Sequence, residues 1–317
     1  MRILIHNDDA AAQVARLAEL VPQAQIATCD SYDGLGQALL DHRAEACFHI
    51  RFENRPYPMD AVLASPTTTW LAVGGVGIDH LAPWDPQRLT VTNGAGVNAE
   101  VMAWYVIGAM IAITMNFPRF MRQQAAHRWH WGEVGVVAGS TVCIVGLGHI
   151  GREVARLAKG LGLTVIGTRA HPRETPNVDR VYGSDALHEA LGRADYVVMT
   201  TPRTPATLGM IDAAAFAAMK PGARLIDVAR GGIVEVAAMK QALDSGHLAG
   251  AALDVFDPEP MPADSPFWDM ENVLITPHSS GVFPGWDIRG LEIFAQNVKR
   301  RLAGEPLENV VDPVRGY

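Results

Sequence analysis

The stretch TVCIVGLGHIGREVARLAKGLGLTVIGTR, residues 141–169, decides the fold. An apolar run leads into a glycine-rich turn, a helical pattern follows, and a second apolar run comes next. This order predicts a strand, a turn, a helix and a parallel strand within one β-α-β length. Gly146 would permit the tight turn, Gly148 would let the backbone approach a pyrophosphate, and Gly151 would let the helix pack close to the sheet.

The start of the predicted helix completes a phosphate site. Its free N–H groups and partial positive charge suit the phosphates of a dinucleotide, and His149 and Ile150 lie at this start. A glycine pattern alone also occurs in ordinary turns, so the strands and the helix around it carry the prediction. We therefore expect an oxidoreductase that binds a nicotinamide dinucleotide.

The same alternation of strand and helix continues to about residue 280. Several of the apolar runs are continuous, as in strands buried on both faces of a parallel sheet. Repeated β-α units predict an α/β domain with a doubly wound, Rossmann-type parallel sheet. The predicted strands are 141–145, 163–167, 196–200, 223–229, 251–255 and 272–276, and the helices between them are 152–162, 184–194, 213–220 and 236–246.

A second α/β region precedes this one. Strands are predicted in ILIH, ACFHI and WLAVGG, with a helix near residues 10–20 and another before WLAVGG. The tail, residues 285–303, has the pattern of one helix that returns to the N-terminal region. We therefore predict a smaller, flavodoxin-like α/β substrate domain from residues 1–98 and 285–317, with the nucleotide domain, residues 99–284, inserted into it.

The composition narrows the class of partner. The chain has 317 residues, of which 49% are hydrophobic, and a net charge of −8, so no basic face for nucleic acid or an anionic membrane is expected. The three cysteines form neither a disulfide framework nor a zinc pattern, which indicates no metal site and a cytoplasmic location. ILIH follows the second residue directly, so we expect no signal peptide.

Residues 101–117 form an uncharged run that needs a separate interpretation. This length falls at the lower edge of a membrane span, which takes about 20 residues. The run includes Gly108, Thr114 and Asn116, and the chain has no second candidate span. We therefore expect a helix buried between domains or subunits, not a membrane anchor.

The end of the second predicted strand selects between the two nicotinamide cofactors. An NAD site usually has an acid there to bind the ribose 2′-hydroxyl. This chain has Thr168 and Arg169 instead, and Arg173 shortly afterwards. Because a guanidinium pairs with a 2′-phosphate through two parallel bonds, we predict NADP as the preferred cofactor, with NAD possible. The alternative is that Arg169 is a solvated surface charge.

Three ionisable residues follow predicted strand ends, where ligands bind in open α/β sheets. Arg230 precedes two glycines, Glu259 lies in DPEP, and His278 lies in TPH. A histidine can donate a proton near neutral pH, a carboxylate can orient it, and a guanidinium can hold a substrate carboxylate. Each residue alone could be a surface charge, a loop charge or a capping histidine, but together they indicate catalysis.

These motifs carry a family resemblance. Over most of its length the chain resembles the D-isomer-specific 2-hydroxyacid dehydrogenases, above all the glyoxylate/hydroxypyruvate reductase branch. The resemblance rests on GVGID (75–79), GLGHIG, TPRTPAT, ARGG, LDVFDPEP, TPH and GEPLENVVD. It implies that Arg230 binds the 2-oxo acid, that His278 is the general acid, and that Glu259 is its hydrogen-bonded partner.

The resemblance also implies contacts around the reacting groups. The N–H groups of Val76 and Gly77 would hold the substrate carboxylate, and Asp254 would contact the nicotinamide carboxamide. His278 would touch both substrate and cofactor. The other cofactor contacts would come from Thr201, Pro202, Thr207, Val228, Ala229 and Ser280.

Some questions stay open from the sequence. Asp227 stands where the family usually has Asn, with unknown effect. Arg51, Trp129, Trp131 and Trp286 could shape the substrate pocket or simply pack. A reductase of imines formed from 2-oxo acids, or a nucleotide-sensing binding protein, would share many of these motifs.

The predicted helix from residue 101 and the basic, tryptophan-containing segment 119–131 suggest a homodimer built on the nucleotide domain, as in relatives.

Overall fold

The computed structural model describes residues 1–50, 53, 55–78, 80–81 and 83–313. The chain divides into two compact units. Unit 1 comprises Met1–Val97 and Phe283–Tyr317, and unit 2 comprises Asn98–Val282. The second unit is therefore inserted into the first in sequence.

The described residues form parallel sheets with helices against them. The strands are β1 (Arg2–His6), β2 (Gln25–Cys29), β3 (Ala46–His49), β4 (Trp70–Val73), β5 (Thr90–Thr92), β6 (Thr141–Val145), β7 (Thr164–Thr168), β8 (Arg180–Tyr182), β9 (Tyr196–Met199), β10 (Ala223–Asp227), β11 (Leu248–Leu253) and β12 (Val273–Ile275). The helices are α1 (Ala11–Leu20), α2 (Leu35–His42), α3 (Met59–Ala64), α4 (Ala99–Thr114), α5 (Phe117–Ala125), α6 (His149–Gly160), α7 (Leu187–Leu191), α8 (Ala213–Ala218), α9 (Val236–Asp244) and α10 (Trp286–Leu302).

Unit 1 has a five-stranded parallel sheet in the order β2-β1-β3-β4-β5. This is the strand order of the flavodoxin-like fold. One apolar cluster contains Ile3, Phe48 and Trp70 together with Leu291 and Phe294 of α10. A second cluster includes residues of α2 and α3. The helices thus cover the sheet through two separate cores.

Unit 2 has a seven-stranded parallel sheet in the order β12-β11-β10-β9-β6-β7-β8. The chain starts in the middle, runs outward through β7 and β8, and returns to build the other half from β9. This doubly wound order confirms the predicted Rossmann-type sheet, and its switch point lies between β6 and β9. Ligands of such sheets bind outside the carboxyl ends of the strands at that point.

Three strands were missed or misread from the sequence. β2 and β8 are edge strands with exposed and half-buried positions, and β5 has only three residues. Each lacks the continuous apolar run that identified the central strands, because fewer side chains of an edge strand are buried. The predicted helix 184–194 is also shorter: a 3₁₀ turn at Ser184–Ala186 precedes α7.

The uncharged run lies mostly in α4, which packs against α6 and against β10 and β11. Its buried residues, among them Met102, Val106, Met110 and Ile113, recur at helical spacing and lie on one face, whereas Trp104 on the opposite face is exposed. In the described part of the chain no single helix has the length and apolarity of a membrane span. α4 and α5 meet those criteria only as a pair bent by 67°.

Candidate active site

The glycine loop joins β6 to α6. Gly146 has a φ of +104°, a value that favours glycine. A Cβ on Gly151 would lie 2.1 Å from the Gly146 carbonyl oxygen, so this position admits no side chain. A Cβ on Gly148 would meet nothing within 4 Å, which leaves open space beside the backbone at the helix start. The loop therefore has the shape that a pyrophosphate group needs.

Positive charge surrounds the adenosine side of this loop. Arg169 follows β7, and burial together with the charges of Arg173 and Arg152 lowers its pKa. Arg152 lies on α6, where its Nη2 atom is 3.4 Å from Nδ1 of His149. Within the described residues no carboxylate pairs with any of the three arginines. This cluster can therefore accept an anion.

Arg230 lies in the turn after β10. The Ala229 N–H donates to Asp227 Oδ1 at 3.0 Å, and Nη1 of Arg230 donates to the Ala229 carbonyl at 2.8 Å. A Cβ on Gly231 would lie 1.8 Å from the Phe256 carbonyl oxygen. Glycine at this position lets the loop that carries Arg230 lie directly against the loop that carries Glu259.

Glu259 and His278 form a hydrogen-bonded pair. Nδ1 of His278 lies 2.8 Å from Oε2 of Glu259, and the other carboxylate oxygen accepts the Phe256 N–H at 2.8 Å. A carboxylate only accepts, so Nδ1 carries a proton and the bond orients the ring. The His278 side chain is 45% exposed. Its Nε2 atom is thus available for proton exchange with a bound molecule.

Asp254 holds the loop of His278 in place. Its carboxylate accepts from the Thr276 hydroxyl and from the N–H groups of Ser279 and Ser280, and its carbonyl accepts the His278 N–H at 2.9 Å. The Tyr105 hydroxyl donates to Thr276 from α4. Asp254 is fully buried, and these donors satisfy the oxygens of its carboxylate.

Asp227 is the second buried carboxyl group at this edge. It ends β10, is 4% exposed, and pairs in register with Leu253, the residue before Asp254. Burial raises the pKa of Asp227 to about 7; the Ala229 N–H acts against this shift, and the charge of Asp254 adds to it. Asparagine would be neutral here, so the departure from the family pattern places an ionisable group beside Arg230.

Val76 and Gly77 belong to unit 1, in the loop after β4. Nδ2 of Asn93 donates to the Val76 carbonyl at 2.8 Å, and the Gly94 N–H donates to the Gly75 carbonyl. Because a trans peptide points its C=O and N–H in opposite directions, the Gly77 N–H is turned away from Asn93. Arg51 and Asp79 lie outside the described residues.

The remaining predicted cofactor residues lie at strand ends of unit 2. Thr201 contacts the glycine loop: its Cγ2 atom would be 3.0 Å from a Cβ on Gly146. The Thr207 hydroxyl closes its own loop by donating to the Pro202 carbonyl at 2.6 Å. Four more are nearly or fully buried, namely Thr168, Val228, Ala229 and Ser280.

Sequence reasoning missed three residues of this region. Thr276 stands two positions before His278, in the same short motif, and could have been found there. Arg152 immediately follows the glycine motif. Tyr105 gave no signal, because it lies 171 positions from Thr276 in the sequence.

The tryptophans have different surroundings. Trp286 packs against the core of unit 1. Trp129 and Trp131 are 103% and 78% exposed and line a groove of about 610 Å³ on unit 2 with Phe120.

Comparison with known proteins agrees with this architecture. The sequence profile of the D-isomer specific 2-hydroxyacid dehydrogenase NAD binding domain matches residues 107–280. A D-3-phosphoglycerate dehydrogenase of Methanocaldococcus jannaschii is 32% identical over 243 residues, which are 75% of this chain and 46% of that protein. The chain thus spans about half the length of the curated phosphoglycerate dehydrogenase it matches.

Solved structures resemble the chain over nearly its whole length. A D-isomer specific 2-hydroxyacid dehydrogenase from Xanthobacter autotrophicus Py2, solved with NADPH and MES, is 29% identical, has a TM-score of 0.84 and covers 99% of both chains. An NADPH-dependent glyoxylate/hydroxypyruvate reductase from Sinorhizobium meliloti, solved with NADP and sulfate, is 27% identical with a TM-score of 0.83, over 100% of this chain and 99% of that one. The profile match spans more than half of the sequence and includes the glycine loop, Arg230, Glu259 and His278, so this chain belongs to the D-isomer specific 2-hydroxyacid dehydrogenase family.

Proposed function

We propose that the protein is an NADPH-preferring reductase that converts a small 2-oxo acid, of the glyoxylate or hydroxypyruvate type, to the D-2-hydroxy acid. The observation that carries this proposal is the 2.8 Å hydrogen bond between His278 and Glu259, on loops next to the turn of Arg230. The acid-base residue His278 follows β12, its partner Glu259 follows β11, and Arg230, which can bind a carboxylate, follows β10.

Each residue has a defined task in this reaction. Arg230 binds the substrate carboxylate and polarises the carbonyl. The nicotinamide, when bound, supplies the hydride. His278 donates the proton that the new hydroxyl needs, from Nε2. Glu259 accepts the Nδ1 proton and keeps the ring oriented.

The preference for NADPH rests on the arginine cluster. Arg152, Arg169 and Arg173 have no carboxylate partner within the described residues, whereas many other arginines of the chain do, such as Arg16 and Arg156. Burial lowers the pKa of Arg169, and the charges of Arg173 and Arg152 add to this; a 2′-phosphate would offset that repulsion among the arginines. The similar structures solved with NADPH or NADP support this assignment.

A substrate panel tests the proposal. Glyoxylate, hydroxypyruvate, pyruvate and phenylpyruvate are each assayed with NADPH and with NADH, with and without ammonia or an alkylamine. We expect turnover of the two small substrates, with higher kcat/KM for NADPH and a hydroxy acid product. An amino acid product would identify an imine reductase instead. Absence of all turnover would favour a nucleotide-sensing binding protein.

We also propose a homodimer built on unit 2. Large apolar side chains are exposed along α4, α5 and the segment after them, namely Trp104, Phe117, Met121, Trp129, Trp131, Val134 and Val136. Exposed large apolar side chains in such number are typical of a subunit interface. Sedimentation analysis tests this: Trp131→Ser should shift the population toward monomer, whereas Leu302→Ser, at an exposed apolar residue of unit 1, should not.

A further inference from the structure

Two carboxyl groups, Asp227 at the end of β10 and Asp254 after β11, differ in the number of hydrogen-bond donors that contact them. The Asp254 carboxylate accepts three hydrogen bonds, whereas among the described residues one donor, the Ala229 N–H, contacts the Asp227 carboxyl. The Asp254 N–H also donates to the Asp227 carbonyl at 3.0 Å, which ties the two strand ends together. When both groups lie in a buried region, the one with fewer donors keeps its proton to higher pH.

The ionisable groups on the elements next to Asp227 are Arg230 on its own turn, Asp254 after β11, His278 after β12, and Tyr105 on α4, which packs against both strands. Burial raises the pKa of Tyr105 to about 12, so that phenol stays neutral. Of these groups Asp254 acts on the Asp227 carboxyl by its charge, and it opposes ionisation.

Sheet order shows which half of a dinucleotide would lie here. Arg169 follows β7, on one side of β6, so the adenosine half belongs on that side. The nicotinamide half must then extend across β9 toward β10 and β11, whose ends lie roughly 10 Å and roughly 14 Å from that of β6 at ~4.8 Å per strand. The oxidised nicotinamide ring carries a positive charge that the reduced ring lacks.

We propose that Asp227 makes the relative affinity for oxidised and reduced cofactor depend on pH. This inference rests on the proposed function, because it needs a nicotinamide at this edge. With its proton, Asp227 is neutral and does not discriminate between the two rings by charge. Without the proton, its carboxylate attracts the positive ring and favours the oxidised form. Acidic conditions thus favour binding of the reduced cofactor and the direction of reduction.

Binding measurements without substrate test this. Dissociation constants of NADP⁺ and NADPH are measured from about pH 6 to about pH 8.5 for the wild type and for Asp227→Asn, which keeps the acceptor for the Ala229 N–H. We expect the ratio of the two constants to shift roughly three- to tenfold toward NADP⁺ across this range in the wild type. The ratio should stay flat in Asp227→Asn.

A matched control is Asp244→Asn, which removes an acid at the end of α9, half exposed and paired with Lys240. It should keep the wild-type shift. If the ratio of the two dissociation constants shifted equally in wild type and Asp227→Asn, or did not shift in the wild type, this inference would be wrong while the proposed function still stood. Failure of both cofactors to bind would contradict the proposed function itself.

A second measurement uses only the wild type, so it stands even if Asp227→Asn folds poorly. Calorimetry in two buffers of different ionisation enthalpy counts the protons released on binding near pH 7. We expect NADP⁺ binding to release more protons than NADPH binding, because the positive ring favours ionised Asp227. Equal release with both cofactors contradicts the inference.

Discussion

Nδ1 of His278 lies 2.8 Å from Oε2 of Glu259, and the second oxygen of that carboxylate accepts the Phe256 N–H. Both carboxylate oxygens are therefore engaged, and the imidazole has one orientation. The pair joins the loop after β12 to the loop after β11. Proton transfer at the opposite ring nitrogen, Nε2, thus depends on two loops being held together.

The first prediction concerns this pair. His278→Gln should lower kcat roughly 100- to 10,000-fold, because the general acid is lost, and leave the dissociation constant of NADPH nearly unchanged. Glu259→Gln keeps the length of the side chain but removes its charge, so kcat should fall less and its pH profile should move. Steady-state kinetics over pH and NADPH fluorescence titration provide the data. A near-normal kcat for His278→Gln at all pH values would refute the assignment.

The second prediction concerns cofactor choice. Arg169→Ala should lower kcat/KM with NADPH roughly 10- to 100-fold, since a hydrogen bond to a charged group contributes about 1.5–3 kcal/mol. The value with NADH should change little. Arg193→Ala, which removes an arginine paired with Glu189, is the control and should leave both values unchanged. An equal loss with both cofactors would mean that Arg169 does not read the 2′-phosphate.

The third prediction separates two glycines of one loop. Gly151→Ala places a Cβ against the Gly146 carbonyl, so both the Tm and cofactor affinity should fall. Gly148→Ala meets open space in the protein, so the Tm should hold while the methyl group obstructs the pyrophosphate. Thermal unfolding and NADPH titration distinguish these outcomes. Unchanged cofactor affinity in Gly148→Ala would argue against a pyrophosphate at this turn.

The fourth prediction concerns stability in acid. His49 is fully buried at the end of β3; burial lowers its pKa from 6.5 to about 2, and His6 and His80 add to this. The unfolded chain protonates this histidine below pH 6.5 while the folded chain does not. The free energy of unfolding is therefore unaffected by this group above pH 6.5. It falls by ~1.4 kcal/mol per pH unit as the pH drops from about 6.5 toward 2.

Urea denaturation between about pH 6.5 and pH 4.5 checks this slope. In His49→Gln the free energy of unfolding should fall less steeply with acid than in the wild type. His42→Gln, at a half-buried position, is the matched control and should keep the wild-type slope. Identical slopes for wild type and His49→Gln would show that His49 does not contribute to acid sensitivity.

Local sequence predicted much of this protein because its signals are local. The turn of Gly146 to Gly151 and the central strands are defined by neighbouring residues, and the Rossmann-type sheet follows from their alternation. Edge strands such as β2 and β8 have weak patterns, since solvent covers part of their surface. They form because a central strand offers unpaired N–H and C=O groups along its edge.

Motif order and the family resemblance identified Arg230, Glu259 and His278 as candidates and implied that Glu259 pairs with His278, but not through which atoms or at what distance. The bond between His278 and Glu259, and the position of Asp227 next to the end of β11, depend on strand pairing between segments far apart in the chain. Sequence alone therefore determined which chemical groups are present and the class of fold. Only the tertiary structure decided which of those groups meet and which are buried, because burial and pairing set protonation and orientation.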